Sequence, residues 1–174
     1  MTLSVCLLLD RRADRAVRRL WTRLEELGVS TLLTHTHGHH VPHLTLASLR
    51  TWDLDEVDAA LAELPPPPAG PLVFDGLGMF RRSRCWLLPA PTPGLLGHQA
   101  AVVAAARKTG ADLHRHYEPG SWIPHLTLAP RLHLQDLATV AKVVYDVLPV
   151  TATLSSLTLV DTSTGRRVPV SPSG

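Results

Sequence analysis

The sequence predicts an α+β fold made of two lobes related by an approximate two-fold axis. Three observations carry that expectation. The string Pro-His-Leu-Thr-Leu occurs twice, as Pro42–Leu46 and Pro124–Leu128. The two copies lie 82 positions apart, close to half of the 174-residue chain, and the order helix, polar loop, string, helix surrounds each, as a duplicated unit would show. Apolar runs of strand length also alternate with stretches of helical periodicity along the whole chain. Hydrophobic residues make up 45% and charged residues 18%. That is enough to bury one core without disulfide or metal staples, so residues 1–174 read as a single bilobal domain.

The elements follow in order. Leu3 to Leu9 is a continuous apolar run and reads as a buried strand. Asp10 is placed to cap a helix over about Ala13 to Leu27, where Ala16, Val17, Leu20, Trp21, Leu24 and Leu27 fall at helical spacing and Gly28 supplies the stop. Arg15, Arg18, Arg19 and Arg23 take the other face. It reads as solvated, because Asp14 and Arg18 make a good i,i+4 pair. Thr34 to His40 is a polar loop, and Pro42 to Leu49 alternates as a strand. Asp53 and Glu56 mark a capping-box-like start for a helix over Leu54 to Leu64.

Pro65 to Pro68 is a stiff bridge between lobes. Strands at Leu72 to Phe80 and Cys85 to Leu88 flank the basic turn Arg81 to Arg84, and Gly76 with Gly78 suggests a bulge or the close approach of a ligand. A helix over Leu95 to Lys108 follows, then a loop through Tyr117 and Gly120, a strand from Trp122 to Leu128 and a helix over Asp136 to Val147. Strands near Thr153 to Val160 and Arg167 to Val170, around a turn at Ser163 to Gly165, complete the chain.

Composition excludes several classes. A net charge of +2 is too small for a protein that holds polyanions by bulk charge. All but Lys108 and Lys142 of the 17 basic residues are arginine, and asparagine is absent. That bias suits a GC-rich bacterial genome and weakens any functional reading of the arginine count. Cys6 and Cys85 each sit in an apolar run, as buried thiols of a reducing cytoplasm do, and two cysteines exclude a Cys-rich zinc module. The first apolar run lacks a basic segment before it and is too short to span a bilayer. A cytoplasmic monomer with no membrane partner is expected.

The repeated string carries the chemistry. Along a strand, residues i and i+2 share a face. His43 and Thr45 therefore share one face, and so do His125 and Thr127, while Leu44, Leu46, Leu126 and Leu128 point into the core. Two lobes facing each other would bring two imidazoles and two hydroxyls together in one cleft. Such a set suits phosphodiester chemistry without a metal. A neutral imidazole takes a proton from water, an imidazolium protonates the leaving oxygen, and the hydroxyls donate to non-bridging phosphate oxygens.

The pair of His-x-Thr motifs, His43 with Thr45 and His125 with Thr127, resembles the signature of the 2H phosphoesterase superfamily. Within it the chain is similar to the bacterial branch of 2′-5′ RNA ligases and RNA 2′,3′-cyclic phosphodiesterases. The resemblance implies two antiparallel sheets flanking a central cleft with helices outside. It implies a metal-independent enzyme, with no cofactor, that opens 2′,3′-cyclic phosphate ends of RNA or small cyclic nucleotides to 2′-phosphates, 2′-5′ ligation being the reverse type of transfer. Carried over, His43 and His125 are the acid and base, and Thr45 and Thr127 hold the phosphate. His43 is taken as the acid on the 3′-oxygen and His125 as the base on water, roles that the pseudo-symmetry of the motifs leaves exchangeable. The alternatives are a phosphodiesterase for another cyclic phosphate or a 2′-5′ oligonucleotide, and a non-catalytic nucleotide-binding module using the same cleft.

Further candidates are weaker. Base recognition needs an aromatic platform or an arginine plane. Trp122, Tyr117 and Phe80 are placed for the first, though Trp122 also reads as core, and Arg84 and Arg131 could meet phosphates. Arg131 reaches the His125 face only if that strand runs far enough. His35, His37, His39 and His40 are dense enough to attract a transition metal, but the tract holds no carboxylate, so no functional metal is expected there. His114 and His116 read as a solvated loop. The arginine-rich first helix and the Arg81 to Arg84 turn could guide RNA to the cleft.

Overall fold

The computed structural model describes residues 2–171. The strands and helices run β1 (Leu3–Leu9), α1 (Arg11–Glu26), β2 (His43–Thr51), α2 (Leu54–Ala62), β3 (Pro71–Met79), β4 (Cys85–Pro89), α3 (Pro93–Lys108), β5 (Asp112–Leu113), β6 (Leu126–Ala129), α4 (Leu137–Tyr145), β7 (Val150–Asp161) and β8 (Arg167–Pro169). Short 3-10 turns form at Arg115–Tyr117 and Leu134–Asp136.

The fold is α+β, as expected, but the strands join in one antiparallel order, β5-β2-β1-β7-β3-β4-β6, with β8 alongside β7. Two separate sheets do not form. The reason is β7, a strand of 12 residues that serves both halves. Val150–Thr153 pair with β3, whereas Leu154–Asp161 pair with β1. β2 and β6 lie near opposite ends of this order, yet they touch. The Leu32 N–H donates to the Leu128 carbonyl at 3.2 Å, and the Trp122 indole N–H donates to the Thr45 carbonyl at 3.0 Å. The sheet therefore curls until its two His-x-Thr segments meet.

Local chemistry sets the boundaries. The Asp10 carboxylate accepts from the N–H groups of Arg12 and Ala13 at 2.8 and 3.0 Å, so α1 starts at Arg11, ahead of its apolar stripe. The same carboxylate accepts from the Thr153 N–H at 2.6 Å, which ties the helix start to β7. Ala13, Val17, Leu20, Trp21 and Leu24 are its buried face, and Gly28 (φ +81°) releases the chain. Asp53 and Thr92 cap α2 and α3 in the same way. Asp136 makes no side-chain cap bond, and the last helix opens as a 3-10 turn and is α-helical only over Leu137–Tyr145.

The strand expected from Trp122 to Leu128 is also shorter. β6 begins at Leu126, because Pro124 has no N–H for a ladder and the Ile123 carbonyl accepts from the His125 ring. The glycines of β3 are accounted for without a ligand. The β3–β4 register shifts between Phe74 and Gly76, a bulge. At Gly78, opposite Trp86, a Cβ would lie 2.2 Å from the indole. The core contains both motif leucine pairs, with Leu44, Leu46, Leu126 and Leu128 fully buried. Cys6 and Cys85 are free and buried.

Candidate active site

The site starts from strand register. His43 lies opposite Leu8, and Thr45 opposite Cys6, on β1. Thr127 lies opposite Trp86 on β4. Antiparallel partners share a face, so His43, Thr45, Cys6 and Leu8 line one side of the sheet while Leu44 and Leu46 anchor the other.

Both imidazoles are held by the same bond. His43 Nδ1–H donates to the Val41 carbonyl at 2.6 Å, and His125 Nδ1–H donates to the Ile123 carbonyl at 2.7 Å. A carbonyl only accepts, so each bond places the ring proton on Nδ1 and leaves Nε2 free. The intervening Pro42 and Pro124 fix the chain over that two-residue reach. Burial pushes both rings below the ordinary histidine range. For His125 the value falls to about 4; burial is the main cause, the Ile123 carbonyl opposes it, and the charges of Arg84 and His43 push it further. For His43 burial again dominates and the Val41 carbonyl opposes it. Each ring is thus neutral at pH 7.

The flanks differ. Beside His125, Phe80 stands edge-on with centroids 4.9 Å apart, and the Trp86 ring is 5.9 Å away. Phe80 and Trp86 are 4.9 Å apart themselves and form an aromatic wall. Trp86 escaped the sequence reading because it sits inside an apolar strand. Its signal was Gly78, whose missing side chain makes room for a large ring on the facing strand. Beside His43, the Cys6 thiol lies 3.7 Å from the Thr45 hydroxyl. Burial pushes the Cys6 thiol up to about 12. It does the same to the Tyr117 phenol, which Cys6 pushes up further while Arg84 and a hydrogen bond with Thr45 pull it down. Thiol and phenol are therefore neutral neighbours of Thr45 and not nucleophiles.

The remaining candidates separate. Arg84 is exposed, and its charge acts on His125, Tyr117 and His35. Arg131 acts on His35. β6 ends at Ala129 and Pro130 turns the chain, so Arg131 does not extend the His125 face. Trp122 is only 7% exposed and its indole is bonded to Thr45, so it is a strut between the motifs and offers no open face to a base. His35, His37, His39 and His40 stack on one another, His37 and His40 at 4.1 Å. Among the described residues, no group of three or more His, Cys, Asp or Glu is placed to hold one metal ion. The His114 and His116 rings lie 4.9 Å apart, His114 facing Tyr117. Among the described residues, no helix is long and apolar enough to cross a membrane.

The curled antiparallel sheet thus brings together two imidazoles with free Nε2 atoms, two hydroxyls and a nearby guanidinium. The profile of the 2′-5′ RNA ligase superfamily matches residues 10–166, and the chain belongs to that family, the 2H phosphoesterases. No curated protein matches it significantly in sequence. Among solved structures it is similar to Escherichia coli LigT complexed with 3′-AMP, at 17% identity and TM-score 0.64, covering 96% of this chain and 92% of that one. The LigT complex with NADP+ is 18% identical with TM-score 0.60 over the same shares. Kluyveromyces marxianus Usb1 with uridine monophosphate is 12% identical with TM-score 0.51, covering 98% of this chain and 97% of that one.

Proposed function

We propose that the cleft opens RNA or nucleotide 2′,3′-cyclic phosphates to 2′-phosphates by acid–base catalysis between His43 and His125. The observation that carries this is the matched pair of Nδ1–carbonyl bonds, which presents a free Nε2 from each motif. Water gives a proton to His125 Nε2 as its oxygen attacks phosphorus. The P–O3′ bond breaks, and O3′ takes a proton from protonated His43 Nε2. The product keeps its phosphate on O2′, and the two rings exchange their protons with solvent. A 5′-hydroxyl in place of water would form a 2′-5′ bond by the same transfers.

Both rings are neutral in the free protein, so the acid must gain its proton when substrate binds. The phosphate anion supplies the reason, because a negative charge within a few ångströms raises an imidazole pKa. Thr45 and Thr127 donate to the non-bridging oxygens, where charge accumulates. Phe80, backed by the buried Trp86 ring, offers the stacking surface for a base. Neither Trp122, which is buried, nor Arg131 is assigned to substrate. Arg84 is assigned to the phosphate by its charge. Metal plays no part in this scheme.

The test is an end-group assay. The protein is mixed with a short RNA ending in a 2′,3′-cyclic phosphate in excess chelator, and the product phosphate is located by phosphorus NMR. A 2′-phosphate that disappears with His125→Ala is the expected result. A 3′-phosphate, or turnover that survives the substitution, overturns the reading.

A further inference from the structure

Two hollows lie beside the site. One, of about 300 Å³, lies between the start of α1 and the segment leading into β2, and is lined by Arg11, Arg15, Arg18, Val41 and Pro42 among others. The other, of about 580 Å³, lies under the β7–β8 turn, with Thr158, Arg166 and Pro169 in its lining. Leu8 and Arg167 line both, so the hollows adjoin as one trough.

Its position relative to the chemistry is fixed by register. Leu8 is the direct partner of His43, so the trough begins one strand spacing, about 5 Å, from that residue. Val41, whose carbonyl holds the His43 ring, is in its wall. Thr158 is the partner of Cys6 on β7, as Thr45 is on β2. The three therefore form a row across the sheet, on the face that carries His43. Thr158 is 1% exposed, and its hydroxyl, buried at the trough floor, has no hydrogen-bond partner. An unmatched buried hydroxyl is a cost unless something supplies a bond.

The charge along the trough identifies what the trough itself would hold. Arg11, Arg15, Arg166 and Arg167 are exposed, and among the described residues none has a carboxylate partner, whereas Arg18 is paired with Asp14 at 2.8 Å. Asp14 is the one acidic residue lining either hollow. Guanidinium groups gathered without carboxylates along a groove fit a chain of phosphates, each a planar bidentate target. A mononucleotide seated at His43 and His125 would leave the trough unused.

We infer that the trough holds the sugar–phosphate backbone of an RNA strand whose 3′ end occupies the site, so that the substrate is an oligonucleotide and not a mononucleotide. This rests on the proposed hydrolysis for its polarity, and it adds the substrate class. The solvated face of α1 expected from the Asp14–Arg18 pair is then an RNA-binding face over Arg11 and Arg15.

The experiment compares 2′,3′-cyclic AMP with a 5′-fluorescein octamer RNA ending in a 2′,3′-cyclic phosphate, for the full chain and for R15E/R167E. The expected result is a kcat/KM advantage of the octamer that falls with salt, and a ratio of octamer to mononucleotide at least about tenfold smaller in the double variant, as lost phosphate contacts require. A ratio that the substitutions do not change overturns the trough while leaving the hydrolysis intact. If the wild type turns over neither substrate, the hydrolysis fails and the trough is judged by anisotropy with a labelled octamer ending in a 3′-hydroxyl. The slope of log affinity against log salt should then shrink by about 1.4 in the double variant, at roughly 0.7 per phosphate lost on a single strand, and an unchanged slope overturns the inference. R11Q/R166Q, which neutralises without reversing charge, should move each readout in the same direction.

Discussion

The indole N–H of Trp122 donates to the backbone carbonyl of Thr45 at 3.0 Å, so one His-x-Thr motif is braced by the residue that leads into the other. A second latch runs parallel to it: the buried Gln99 amide donates to the Leu46 carbonyl at 3.1 Å and to the Tyr117 carbonyl at 2.7 Å. The two motif strands share no ladder, so these side chains set the spacing of the two imidazoles. Trp122→Phe keeps the apolar bulk and removes the donor. It should cost about 1–3 kcal/mol, the penalty of a buried carbonyl left unpaired, and should lower kcat more than it raises KM. Urea unfolding beside steady-state kinetics measures both. A variant of full stability and full kcat would show that the bond does not position the site.

His43→Ala and His125→Ala should each lower kcat by about 10²–10⁴-fold, the usual contribution of one positioned proton transfer. The double variant should be little slower than the slower single one, because in the proposed scheme both rings serve the same displacement. Neither ring is core packing: both stand half-buried on the face opposite Leu44 and Leu126. Thermal unfolding of each variant should therefore stay close to that of the parent. Multiplicative losses in the double variant would mean that the rings act in separate steps.

Arg84 tunes the site. Its charge disfavours a proton on His125 and helps to keep that ring at about 4. In the proposed scheme His125 is the base and must be neutral to work, so kcat/KM falls as acid protonates it. Arg84→Ala removes a repelling cation and should move the acid limb of the kcat/KM profile to higher pH. Arg84→Lys keeps the charge and should not. A limb that stays in place in the alanine variant would assign it to another group.

Much of this site was legible in the sequence because its signal was periodic. A period-2 strand dictates that His43 and Thr45 share a face, and repetition located the second pair. The caps were legible too, since Asp10, Asp53 and the turn residue Gly28 act on their immediate neighbours. What escaped depends on contacts between distant segments. One strand, β7, joins both halves of the sheet because of how β1 and β3 pair along it, and no local pattern reports that. Trp122 and Trp86 have the same composition signal, yet one is a strut and the other a wall of the site. Only the position of Thr45 opposite the first and of Gly78 beneath the second distinguishes them.

Gly78→Ala tests that last relationship. A methyl at this position would lie 2.2 Å from the Trp86 ring, so either the indole moves or the strands part. Overpacking of this kind costs about 1–3 kcal/mol. The indole borders Phe80 and His125, so KM for the nucleotide should rise as well. Trp86→Leu, combined with Gly78→Ala, should recover part of the lost stability although Trp86→Leu alone destabilises. Simple addition of the two effects would show that the methyl and the ring do not compete for the same space.

Acid should loosen the fold through its buried histidines. His125 and His40 are both held at about 4, His40 by burial together with the charges of His37, His43 and His35. In the unfolded chain each returns to about 6.5. Between those values the unfolded chain binds protons that the folded chain refuses, so stability is constant above the unfolded value and falls as pH drops from about 6.5 towards 4. Asp10, which the Thr153 N–H holds below its ordinary 3.8, adds its own loss only at lower pH. The urea midpoint should therefore decline between pH 7 and pH 5. His40→Gln should decline less, because a neutral amide has no proton to gain. A midpoint that is flat over that interval, or a slope that His40→Gln leaves unaltered, would mean that the loop histidines take up protons in place without opposing the fold.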